Sequence, residues 1–169
     1  LCSLVLTFTS PTTHWAMSLY PQWYSATSRA VLAIGGGLAA LAFVTLSFAA
    51  LFWRGRAVST TNLSPALGDL GSLMLAFLML WAYFAFSQFL IIWSGNLPEE
   101  NVWYVYRLEG GWQWLGLAIV GLQFFVPFFA LLSRELKQNP RTLAAIAALV
   151  FVMQYFFFVW TLVPSFHPR

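Results

Sequence analysis

The chain has 169 residues, enough for one domain, and is 60% hydrophobic with only 8% charged residues; soluble domains carry about a quarter charged. Its net charge of +3 comes from 8 basic and 5 acidic side chains with no basic run, which argues for loop asymmetry on a membrane protein and against a nucleic-acid partner. One cysteine, Cys2, excludes a disulfide framework, a thiolate zinc site, an iron–sulfur cluster and a CxxCH haem attachment within this chain.

Leu1 to Phe8 is apolar but too short to span a bilayer, and no basic stretch precedes it. It reads as the end of a helix cut off upstream, so the sequence is expected to be the C-terminal part of a longer subunit, without a signal peptide. Ser10 to Ser28 is aromatic and punctuated by proline, with Trp15, Trp23 and Tyr24 suited to a membrane interface.

Four long apolar runs follow, at about 30–53, 70–93, 112–132 and 142–163. Each is long enough, at about 1.5 Å per residue, to cross roughly 30 Å of hydrocarbon. The expected fold is therefore all-α, a polytopic transmembrane helical bundle of four complete spans. The first run contains Gly35-Gly36-Gly37, with Ala33/Gly37, Gly35/Ala39 and Gly36/Ala40 at four-residue spacing. Such spacing favours close helix packing; a gating hinge is the alternative. Arg54 to Gly68 is expected to be a polar connection broken at Pro65. The second run is apolar all round, which disfavours a soluble amphipathic helix. Asp69 is expected to cap its start and Asn96-Leu97-Pro98 to stop it. The third run carries Gln113, Gln123 and Pro127, a proline that neighbouring groups can accommodate, commonly with a kink. A short loop, SRELKQNPR, leads to the fourth run, which contains Gln154 and ends at Pro164.

The loops after the first and third runs hold Arg54, Arg56, Arg134, Lys137 and Arg141, against Arg29, Arg107 and Arg169 on the other side. Because cytoplasmic loops are enriched in Lys and Arg, the first set is expected in the cytoplasm. Glu99, Glu100, Glu109 and several tryptophans then share the outer face.

No nucleophile–base pair, phosphate loop or metal-ligand spacing is present. The two histidines, His14 and His167, fall in the outer segment and the tail, where they do not form the facing pair a b-type haem needs. The acidic residues fall at helix ends or in loops, away from membrane depth where proton carriers usually sit. The polar residues expected inside are Thr45, Ser47, Ser87, Gln88, Gln123 and Gln154. Their ordinary role is interhelical hydrogen bonding; a hydrated path or a ligand contact is the alternative. Trp81, Phe84 and Gln88 share a helix face by spacing. With Gln123 they form the candidate set for contacting a quinone, an amide for the carbonyl and rings beside the head group. Ordinary aromatic packing explains the same spacing.

The stretch AYFAFSQFLIIWSGNLPEE, with DLGSL before it and GGWQW after it, resembles the large membrane subunits of alternative complex III, a bacterial quinol:electron-acceptor oxidoreductase. Those subunits belong to the polysulfide-reductase-type (NrfD-like) membrane family. The likeness extends from Trp15-Ala16-Met17-Ser18-Leu19 to Leu162-Val163-Pro164. It implies a multi-pass protein of the bacterial inner membrane, quinone nearby, and partner subunits carrying haem c and iron–sulfur clusters (a multihaem cytochrome c and an iron–sulfur protein). In the family a segment like DWLMSLDPHWYST is usual; here His14, Tyr20 and Gln22 replace the two acids and the histidine. Those departures weaken any carry-over of a polar site to that segment. The residues themselves support a helical bundle without a cofactor of its own, surrounded by membrane lipid. That suits a subunit that scaffolds a complex, with quinone contact or proton conduction as a further role, and that docks a partner through Glu99, Glu100 and Trp103, since aromatic anchors are enriched at interfaces and acidic groups tune partner choice. A transporter or channel half-bundle, or a structural membrane protein of another system, remains as an alternative.

Overall fold

The computed structural model describes residues 26–53, 63–95 and 111–162. All of them are helical except Gly111, Ser133 and Asn139. The elements are α1 (Ala26–Trp53), α2 (Leu63–Gly95), α3 (Trp112–Leu132), the short α4 (Arg134–Gln138) and α5 (Pro140–Leu162). Four of them, α1, α2, α3 and α5, are long and apolar enough to cross a membrane. The chain is thus an all-α polytopic bundle, a multi-pass membrane protein. The expected end of an upstream helix, the aromatic residues before α1, both histidines and residues 96–110 lie outside the described residues.

Neighbouring spans run antiparallel, as short connections require. Gly37 meets Phe77 while Thr45 meets Met74, so α1 ascends where α2 descends. Likewise Gly116 meets Trp160 and Gln123 meets Gln154 between α3 and α5. Helix α5 is central: 44% of its span is buried inside the bundle, against 28% or less in the others. It packs chiefly on α1 and α3, and α1 packs in turn on α2.

The buried face of α1 is Val31, Gly35, Leu38, Ala42, Thr45 and Ala49, and that of α2 includes Leu67, Gly71, Met74, Leu78 and Trp81. Both alternate steps of four and three. This seven-residue repeat keeps one seam turned to a neighbour, as in left-handed bundles. The outer surface is equally apolar, with Phe43, Phe86, Phe129 and Tyr155 exposed around the perimeter. An apolar exterior of that extent suits lipid or another membrane subunit, not water.

The two rims differ. At one, Trp93 and Trp114 are exposed, and the Trp160 indole N–H donates to the Trp112 carbonyl at 3.2 Å. Tryptophan is enriched at membrane–water boundaries for its apolar ring and polar edge. The opposite rim carries Arg134, Lys137 and Arg141 around α4. There Gly71 allows Lys137 to lie across α2, so that a Cβ on the glycine would stand 2.9 Å from Lys137 Cγ. The Lys137 ammonium then donates to Ser72 Oγ at 3.2 Å.

Several boundaries correct the sequence expectation. Helix α2 starts at Leu63, so Pro65 lies in its first turn and does not break it; the first turn has no intrahelical use for the missing N–H. Asp69 is consequently exposed in the second turn and is not the cap. The SRELKQNPR connection contains α4. Helix α5 begins at Pro140, with the Arg141 N–H donating to Asn139 Oδ1 at 3.0 Å, an asparagine cap ahead of a proline at the first helical position. The triple glycine sits within an unbroken α1. Gly35 and Gly37 admit side chains from neighbouring helices, while Gly36 has nothing within 4 Å among the described residues.

Candidate functional site: a polar cluster inside the bundle

Helix α3 is not uniform. Ile119–Phe125 forms a π-helical segment between two α-helical parts, and the Val126 N–H reaches back to the Gly121 carbonyl. Pro127 follows, and a proline ring in a regular helix clashes with the carbonyl four residues earlier, here that of Gln123. A wider turn just before the proline relieves that clash, and π turns are recognised as local departures inside α-helices. It also aligns the buried residues Ile119, Gln123, Pro127 and Leu131. Steps of four in a regular helix drift by about 40° each; the π turn offsets that drift and keeps Gln123 pointing inward.

Gln123 and Gln154 are both completely buried, and Gln123 Nε2 donates to Gln154 Oε1. The pair joins α3 to α5. Gln154 in turn lies against α1, where a Cβ at Gly35 would overlap its Nε2 and stand 3.2 Å from its Cδ. The same Cβ position is 3.5 Å from Trp81 Cδ1 on α2. Trp81, 4% exposed, sets its ring edge-on to Phe157 at 5.1 Å. Four helices therefore contribute to one place: Gly35, Trp81, Gln123 and Gln154.

The cluster is incompletely satisfied. Trp81 Nε1, Gln123 Oε1 and Gln154 Nε2 have no hydrogen-bond partner among the described residues. Turning both amides over would reverse the bond between them and leave the same balance of unused N–H and C=O groups. A buried polar group without a partner costs about 1–3 kcal/mol, so the arrangement is one that packing alone does not favour. None of these groups titrates near neutral pH. The cluster can donate, accept and orient; it cannot carry a proton as a side-chain charge. Among the described residues no three His, Cys, Asp or Glu side chains converge.

Of the four residues named from sequence for quinone contact, Trp81 and Gln123 both belong to this cluster. Phe84 is half-buried, packs against the core and meets Tyr83 edge-on at 5.5 Å. Gln88, 7% exposed, continues the Trp81 stripe two turns further along α2 and has a partner of its own. Thr45, fully buried, donates to the Leu41 carbonyl at 2.8 Å. Glu99, Glu100 and Trp103 lie outside the described residues.

The pairing of Gln123 with Gln154 escapes a reading of each span by itself, yet a signal for it exists. Gln123 stands 15 residues before Gln138 and Gln154 stands 15 residues after Asn139. Two helices folded back about that turn place both amides at one level. The role of Gly35 as the floor beneath Gln154 has no such signal, since Gly36 and Gly37 look equivalent in sequence. Neither a family model nor a curated protein matches this chain.

Proposed function

We propose that this chain is an integral subunit of a bacterial respiratory quinol:electron-acceptor oxidoreductase of the alternative complex III kind, in the inner membrane. It scaffolds the complex, binds no redox cofactor itself, and docks extramembrane subunits bearing haem c and iron–sulfur clusters. The observation that carries this reading is the stretch FSQFLIIWSGNLPEE. Its first part is the end of α2, which reaches Gly95 at the tryptophan-bearing rim. Glu99, Glu100 and Trp103 follow Gly95 in sequence by four, five and eight residues. Aromatic anchors beside acidic groups suit a protein interface at which charge sets partner choice and orientation. Quinone contact at Trp81, Phe84, Gln88 and Gln123 is a finer form of the reading, and it requires the bundle to open, since Gln123 is fully buried and Trp81 and Gln88 nearly so.

Reversal of both acids, Glu99→Lys with Glu100→Lys, in the full-length protein tests the docking role. The expected result is a complex that dissociates on a native gel and oxidises quinol more slowly, with the chain still inserted in the membrane. An intact complex of unchanged activity reduces this loop to a solvated turn.

Orientation follows from the basic rim. Single cysteines at positions 101 and 138, in a Cys2→Ala background, are expected to react differently with a membrane-impermeant thiol reagent applied to intact cells: Asn101→Cys labels and Gln138→Cys does not. The opposite pattern inverts the topology.

One observation favours a second reading, a transporter or channel half-bundle. Helix α3 is irregular where it carries buried Gln123, and transporter sites use interrupted helices at mid-membrane. Such sites usually pair two interrupted helices. Among the described spans only α3 departs from α-helical geometry, so the subunit reading stands first.

A further inference from the structure

We infer that Trp81, Gln123 and Gln154 form a binding site for one water molecule in the interior of the bundle, floored by Gly35. The inference is independent of which complex the chain belongs to. It rests on three buried polar atoms left unpaired and on their convergence. The Gln123 amide is bonded to the Gln154 amide, and Gln154 Nε2 and the Cδ1 edge of the Trp81 ring meet at the same glycine. In an indole, Cδ1 is bonded to Nε1, so the unused N–H is one bond from the ring atom that approaches Gly35.

The inventory selects the ligand. Trp81 Nε1 and Gln154 Nε2 are donors, and Gln123 Oε1 is an acceptor. A metal cation is disfavoured by the two N–H groups. An anion would accept from both but face the Gln123 oxygen, with no cationic side chain among these residues. A ring-shaped ligand has no opening here, because Gln123 and Gln154 are fully enclosed and Phe157 closes the side of Trp81. A single neutral oxygen that accepts twice and donates once satisfies all three atoms. Buried waters typically make about three hydrogen bonds to polar groups that would otherwise lack partners.

Gly35 gives the site its room. With any larger residue there, the Gln154 amide is pushed from α1 and the donors no longer converge. The π segment of α3 supplies the other half of the geometry by turning Gln123 toward α5. The water would bridge α2, α3 and α5, three helices whose direct polar contact here is otherwise limited to the one amide–amide bond.

The test is spectroscopic and uses the full-length protein in detergent or nanodiscs. Ultraviolet resonance Raman bands of indole report whether its N–H is hydrogen-bonded. The spectrum of Trp81, isolated by subtracting that of Trp81→Phe from the wild type, is expected at the hydrogen-bonded position. In the Gln123→Met/Gln154→Met double variant, which removes the other two ligands of the water, the same band is expected to move to the free position. A free indole in the wild type overturns the proposal, as does a bonded indole in both proteins. Should Trp81→Phe fail to fold, a high-resolution map of the wild-type protein decides the matter. One oxygen within hydrogen-bonding distance of all three atoms supports the site; a dry cluster or a larger molecule refutes it.

Discussion

Gly35→Ala is expected to destabilise the detergent-solubilised protein by about 1–3 kcal/mol, the range for forcing an added methyl into a packed core or stripping a buried group of its hydrogen bond. The neighbouring Gly36→Ala is expected to leave stability unchanged or raise it by up to about 1 kcal/mol through helix propensity. A methyl at position 35 overlaps the Gln154 amide nitrogen, whereas one at position 36 meets nothing within 4 Å among the described residues. The end of a glutamine is normally flexible, and its displacement would then cost little. Here the amide is fully buried and held by Gln123, so moving it breaks that bond. Gly35→Leu, with no room for its branch, is expected to abolish folding. Reversible unfolding in mixed micelles, followed by circular dichroism, measures the difference. Equal midpoints for the alanine variants at 35 and 36 would remove Gly35 from the cluster.

The second large effect concerns the amide pair. Gln154→Met is expected to lose about 1–3 kcal/mol, because it leaves the buried Gln123 amide without its partner. Gln123→Met should do the same from the other side. The double variant should be less damaged than the sum of the two, with a coupling energy between about 0.5 and 3 kcal/mol, as found for residues in direct contact. Replacing both partners with an apolar chain of similar shape removes the need for the bond along with the bond. The double variant would leave the Trp81 N–H without an acceptor, so full recovery is not expected. Strict additivity in the same unfolding assay would show that the two amides act separately.

The four spans were legible because a membrane helix writes itself as an apolar run of bilayer length, and the third run coincides with α3 from Trp112 to Leu132. The ends were less legible. Pro65 and Asp69 look like a breaker and a cap when read locally, yet α2 extends past both to Leu63, since proline is tolerated in a first turn and a helix can begin without an acidic cap. Of the six polar residues that the sequence placed inside, Thr45, Gln88, Gln123 and Gln154 are buried, while Ser47 and Ser87 are half-buried. Which of them meet was legible only in part: equal offsets from the turn put Gln123 and Gln154 at one level, but their contact also depends on the rotation of α3. The π segment sets that rotation; its cause is the proximity of Pro127 to Gln123, where the sequence led to the expectation of a kink and the helix instead widens by a π turn.

That segment has a genetic consequence. In α3 the stretch before Pro127 accommodates a residue more than a regular α-helix would need, so one codon can be lost there while both ends of the span keep their places. Removing Gly121 would tighten the turn, swing Gln123 relative to the tryptophan rim, and leave the membrane crossing itself intact. A deletion of one residue between Trp112 and Pro127 would therefore act on the polar cluster and not on the crossing. In an alignment it would look like an unimportant gap.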